Sequence, residues 1–376
     1  MIYLDSAATS LQKPAAVGRA MLRAMGTMTT PGRGLSPPAM AAAGLVFDCR
    51  VAAARLLGAG NPEQVVFTCN ATHGLNIAIK SIVKPGDTVL ISGYEHNAVT
   101  RPLAAIGGVT LKIASCAPFE PQSMLYQMEQ KLTGEVACVV CTHVSNVFGF
   151  VLPVEEIAAL CRQKRVPLIL DVSQSAGAVP VTFDAWGAAF AALPGHKGLL
   201  GPQGTGILLC NHAAKPLMEG GTGSEAKRQE MPEFLPDRLE AGTHNVTGLA
   251  GLLEGIRYVE KRGTAAILAH ERTLIERMVY RMERMLGVRA YGAPYQFCQT
   301  GVLSFHLYAM DCEQVAEGLA LRDVAVRAGL HCSPLAHNSA GTMGRGTVRA
   351  SVSPFTTARE VERFLDYVEQ LAREHE

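Results

Sequence analysis

Two segments set reactive side chains beside glycines. VPLILDVSQSAG ends an apolar run on Asp171, and 26 residues later LPGHKGLLGPQGTG carries Lys197 between Gly195 and Gly198, directly after His196. Open parallel sheets keep their ligand crevice at the carboxyl ends of the strands, so a carboxylate there is read as functional. Removing a lysine from water depresses its pKa and frees the amine to attack a carbonyl carbon, while glycines let the backbone approach a ligand closely. An acid and a lysine on consecutive strand ends have a joint meaning: a lysine holding pyridoxal phosphate as a Schiff base, and a carboxylate keeping the pyridinium nitrogen protonated. CNATHGLN at 69–76 offers the phosphate a cradle, because Asn70 or Thr72 can cap a helix whose free N–H groups attract an anion. Gly201, Gly204 and Gly206 run G-x-x-G-x-G, the reverse of a dinucleotide loop and followed by a strand, which argues against a nicotinamide site.

A second nucleophile is Cys332 in VRAGLHCSPLAH, beside His331 and five residues after Arg327, in a glycine- and proline-bearing segment. Positive charge nearby would raise its thiolate fraction. Most of the other cysteines read as buried apolar residues. Cys138 and Cys141 form a C-x-x-C inside a β-branched run, where alternation sends them to opposite faces, and no second pair completes a zinc site. His331, Cys332 and His337 lack a further ligand, so no metal is expected.

Positioning these groups needs a sheet. Short apolar runs (QVVF, TVLIS, VTLKI, VACVVCT, VPLILD, AAFAAL, GILLC) alternate from residue 64 with stretches of helical periodicity, which implies an α/β fold with a mainly parallel sheet covered on both faces. After about residue 246 the pattern changes to long helices, a strand over Val302–Leu307 and a terminal helix from Thr356, a smaller α+β unit. The 376 residues, 48% apolar and 18% charged against a usual ~25%, make two or three well-buried units. A formal net charge of +1 favours a small-molecule partner over nucleic acid or an anionic membrane. The start MIYLDSAATS has no export pattern, the apolar stretch from Val136 to Leu152 is broken by Thr142, His143, Ser145 and Asn146, and ten scattered cysteines suit reduced thiols, so a cytoplasmic protein is expected.

The motifs IYLDSAATS, CNATHGLN, GYEHNAV, HVSNVFG, DVSQSAG, GHK, EAGTHN, VRAGLHC and GTVRASVS, in this order, resemble the pyridoxal-phosphate enzymes of aminotransferase class V, in the branch of the cysteine desulfurases and selenocysteine lyases. The resemblance implies the PLP-dependent transferase fold of type I, with a seven-stranded large domain over residues 15–250 and a small domain built from 1–14 and 251–376. It further implies that Lys197 binds the cofactor covalently, Asp171 partners its ring nitrogen, Gln174 its phenolic oxygen, and that His96 stacks on the ring. Ala71, Thr72 and His196 match phosphate-side positions, and Thr243 matches a threonine that reaches the phosphate in a neighbouring subunit of a homodimer. Asn146 and Arg349 resemble the pair that holds the substrate carboxylate, a task suited to a bidentate guanidinium, with Arg327 a second charge near the sulfur path. Pro194 departs from the family, which usually has a serine or threonine donating to the phosphate there. The implied reaction turns L-cysteine into L-alanine and leaves a persulfide on Cys332 for a sulfur-acceptor protein, as in iron–sulfur cluster assembly. Selenocysteine lyase activity on L-selenocysteine is the alternative, or a transaminase, epimerase or kynureninase-like reaction with Cys332 incidental. A silent cofactor-binding scaffold is disfavoured by the presence of Lys197, Asp171, Cys332 and Arg349 together.

Overall fold

Short runs of Val, Ile and Leu bounded by turns satisfy their backbone polar groups by pairing with one another. In the computed structural model, which describes residues 1–31, 34–295 and 298–375, they form a seven-stranded sheet. Its order is Val65–Thr68, Gly206–Cys210, Phe190–Pro194, Leu168–Asp171, Val136–Thr142, Thr88–Ser92 and Thr110–Ala114. The last five of these are mutually parallel, and Gly206–Cys210 is antiparallel to both neighbours. All seven runs singled out by composition are therefore strands. GILLC reverses direction because segment 195–205, which joins it to the preceding strand, contains no crossover helix to carry the chain back. Val65–Thr68, reversed twice relative to the parallel set, points the same way as they do, so the turn carrying Asn70 lies on the same rim as Asp171 and Lys197.

The strand Val136–Thr142 shows how the sheet is buried. Val139 and Cys141 join the core on one face and Cys138 and Val140 the core on the other. The C-x-x-C pair is thus split across the sheet as alternation requires, and burial pushes both thiols up.

A second, four-stranded antiparallel sheet runs Arg327–Gly329, Thr347–Ser351, Val302–Leu307, Val288–Ala290. Helices Thr264–Met282, Cys312–Ala320 and Ala358–Glu374 pack on it, and the chain start joins the same core through Ile2 and Leu4. Ile2–Tyr3 pairs in parallel with Val324–Ala325. Helix Val246–Arg262, by contrast, buries Leu249, Leu252, Leu253 and Ile256 in the large sheet's core. No helix among the described residues is long and apolar enough to cross a membrane.

Candidate active site

The carboxyl ends of four neighbouring parallel strands make the floor of the site. Asp171 ends one strand, lies beside Thr142 on one side and Ala192 on the other, and is 5% exposed. Its Oδ1 accepts from the Ser173 N–H at 2.9 Å. Lys197 follows the adjacent strand. Its glycines are also required by the protein itself. A Cβ on Gly195 would stand 2.2 Å from Thr205 Oγ1, and one on Gly198 2.3 Å from the Ala176 carbonyl oxygen. The missing side chains let Gly195 pack under the Thr205 side chain and Gly198 lie against the Ala176–Gly177 backbone, which fixes the stem of Lys197. Lys197, Asp171, His96, His196, Gln174, Asn146, Ala71 and Thr72 together line one cavity of about 110 Å³.

Burial lowers the Lys197 pKa to about 8, a shift opposed by Asp171 and reinforced by Arg349 and Arg327. Burial also lowers His96, and it pushes His196 down to about 4 with help from Lys197 and Lys13, so both imidazoles are neutral near pH 7. His96 Nδ1 accepts from the Ala98 N–H at 3.0 Å and caps helix Asn97–Ile106, which fixes its ring orientation. Of the two candidate caps at 69–76, Asn70 is the one used: its Oδ1 accepts from the His73 N–H at 2.9 Å. The N–H groups of Ala71 and Thr72 have no partner among the described residues, and no acidic residue occupies that first turn. This end of the cavity suits an anion.

Cys332 is not among the residues that line this cavity; it follows strand Arg327–Gly329 of the small sheet. It is an exposed, free thiol, and its carbonyl accepts from the Asn97 N–H at 2.8 Å, which ties the thiol-bearing peptide to the residue after His96. His331 and Cys332 both take left-handed backbone conformations, φ 50° and 58°. Such a conformation costs a non-glycine residue about 1–2 kcal/mol, so side-chain contacts must hold the turn. Asn146 Nδ2 donates to the His331 carbonyl at 2.8 Å, and Ser333 Oγ donates to Asn146 Oδ1 at 2.6 Å. His331 does not supply the positive charge expected beside the thiol. Burial and the charge of Arg349 push it to about 2, and its Nε2 lies 3.1 Å from the Thr347 carbonyl oxygen.

Arg349 and Asn146 are together, as expected. Arg349 Nη1 donates to the Asn146 carbonyl at 2.9 Å, while its Nη2 pairs with Asp5 Oδ1 at 2.7 Å and its Nε has no partner among the described residues. Gln174 Nε2 donates to the Ala7 carbonyl at 3.0 Å. Arg327 is exposed and stands opposite Arg349 in the sheet register. Thr243 is exposed and lies outside the Lys197 cavity, in a neighbouring groove with Cys69, His73 and Gly204. Sequence reasoning missed three residues. Asp5 lies inside a motif already quoted, Ser333 adjoins the thiol, and Glu95 precedes His96. Glu95 is fully buried, its Oε1 accepts from Ser92 Oγ and from the Thr142 N–H, and its Oε2 is unpartnered. Burial raises it to about 8, so it is a neutral acid that ties two strand ends together.

The aminotransferase class-V family model matches residues 2–364. A probable cysteine desulfurase of Methanothermobacter thermautotrophicus is 31% identical over 99% of this chain and 94% of its own length. Another, from Pyrococcus abyssi, is 32% identical over 83% of this chain and 79% of its own. The apo structure of cysteine desulfurase from Thermococcus onnurineus superposes with a TM-score of 0.91 at 30% identity, covering 99% of this chain and 95% of that one. The chain belongs to the aminotransferase class-V family and within it stands with the cysteine desulfurases. The family implies pyridoxal phosphate as cofactor. The donor set of the cavity, an amine, a carboxylate, a neutral imidazole and free helix N–H groups, fits that molecule.

Proposed function

We propose that this chain is a cysteine desulfurase that takes sulfur from L-cysteine, releases L-alanine and keeps the sulfur as a persulfide on Cys332 for an acceptor protein. The observation that carries this reading is the hydrogen bond from the Asn97 N–H to the Cys332 carbonyl, which ties the peptide of a free, exposed cysteine to the residue between His96 and Ala98, both of which line the cavity with Lys197 and Asp171.

Pyridoxal phosphate, when bound, supplies an electron sink conjugated to the substrate's Cα. Lys197 would hold it covalently, Asp171 would keep its ring nitrogen protonated, His96 would cover its ring, and Gln174 would meet its phenolic oxygen. On the phosphate side would stand the N–H groups of Ala71 and Thr72, the Thr72 hydroxyl and His196, with Thr243 of a second copy completing a homodimer site. Pro194 brings no hydroxyl, so those donors carry the phosphate alone. Lys197, its pKa near 8, is an amine that can take a proton from the substrate's Cα and return it. Arg349 would orient the substrate carboxylate through the hydrogens that Asp5 and Asn146 leave free, with Asn146 beside it and Arg327 nearer solvent. In the net reaction the cysteine carbon–sulfur bond breaks and a sulfur–sulfur bond forms on Cys332. The bonding pair stays with the carbon skeleton, which takes a proton and leaves as alanine, so no external oxidant or reductant is needed.

Purified Cys332→Ala should retain cofactor absorbance yet form alanine from L-cysteine at least ~100-fold more slowly than the parent. Undiminished alanine formation in that variant would contradict the assignment.

A further inference from the structure

The amide of Asn146 grips the chain on both sides of the thiol. It donates to the carbonyl of the residue before Cys332 and accepts from the hydroxyl of the residue after it. Ser333 is fully buried and Asn146 is 9% exposed, so water does not substitute readily for either bond. Asn146 also lines the cavity, and its main-chain carbonyl is held by Arg349. One N–H of its amide is spent on His331 and one remains for a ligand in the cavity. A continuous line of contacts therefore runs from the Arg349 guanidinium through Asn146 to Ser333 and the Cys332 turn. Two adjacent left-handed residues would relax if this line were cut, and the thiol would move with them.

We propose that Ser333 is a positioning residue for the desulfurase reaction: through Asn146 it holds the Cys332 thiol in register with the group that binds the substrate carboxylate. The inference rests on the reading of Cys332 as sulfur acceptor. Ser333 does not line the Lys197 cavity, so its hydroxyl is placed to act on sulfur capture and not on cofactor loading or substrate affinity.

The test compares holoenzyme of the parent with Ser333→Ala, Ser333→Thr and Cys332→Ala. Ser333→Ala should bind cofactor with unchanged absorbance and show an unchanged KM for L-cysteine, while kcat for alanine formation falls roughly tenfold or more, the scale of a small misplacement of a reacting group. Hydrogen exchange should quicken in the peptide containing residues 331–333 and at the Asn97 amide, which donates to the Cys332 carbonyl. Ser333→Thr keeps the hydroxyl, and a backbone φ of −136° at this position suits a β-branched residue, so it should restore most of kcat. A Ser333→Ala enzyme turning over within twofold of the parent would overturn the inference, as would a parallel loss of cofactor or rise in KM. If Cys332→Ala is inactive while Ser333→Ala is normal, only the positioning role fails. If Cys332→Ala itself forms alanine at the parental rate, the underlying reading fails and this inference goes with it.

Discussion

Lys197 and Cys332, the two nucleophiles of the proposed reaction, are held by opposite means. The amine follows a strand paired on both sides and sits in a loop fixed by main-chain bonds: Gly195 N–H to Thr205 carbonyl and Gly201 N–H to Gly195 carbonyl, both 2.8 Å, and Leu200 N–H to Lys197 carbonyl at 2.9 Å. The thiol sits in a two-residue left-handed turn at the edge of the small sheet, where the side chains of Asn146 and Ser333 do the holding. Backbone ladders make a rigid seat, which suits an amine proposed to stay bonded to a cofactor. Side-chain clamps make a seat that one substitution can loosen, which suits a thiol proposed to receive sulfur and hand it on.

Lys197→Ala should break the first region most severely. Alanine formation should fall by more than about a thousandfold and the cofactor should dialyse away, measured by absorbance and turnover. Next comes Gly198→Ala, which leaves every reactive group in place but drives a methyl into the Ala176 carbonyl. Overpacking of this kind costs about 1–3 kcal/mol, so denaturant unfolding should show that loss together with weakened cofactor affinity. If Gly198→Ala behaved as the parent, the contrast between a backbone-built seat and a side-chain clamp would lose its basis.

The smallest effect is expected far from either region. Glu271 is buried with its carboxyl raised by burial from 4.5 to about 8. The folded chain therefore keeps this proton up to about pH 8 while the unfolded chain releases it near 4.5, so stability falls as pH rises through that window. Glu271→Gln removes this term, and its Tm should match the parent at pH 4.5 and exceed it by about 2–4 °C at pH 8. The residual slope belongs in part to Glu95, also raised to about 8 at the floor of the site.

The rigid seat was legible in the sequence because it is built from local signals. An apolar run ending on Asp171, a lysine among glycines and an alternating strand each announce themselves within a dozen residues or fewer. The clamp was not, because it joins Ser333 to Asn146 and Arg349 to Asp5 across separations of 187 and 344 residues. The neutrality of His331 was hidden for the same reason: it comes from burial and from Arg349. Short polar strands such as Arg327–Gly329 carry no periodicity and are specified by pairing partners alone.

The most direct measurement is mass spectrometry of the holoenzyme digested after brief incubation with L-cysteine. The account predicts one added sulfur on the peptide containing Cys332, removed by dithiothreitol and absent from Lys197→Ala. Alanine accumulating while the added sulfur is found on another cysteine, or on none, would contradict it.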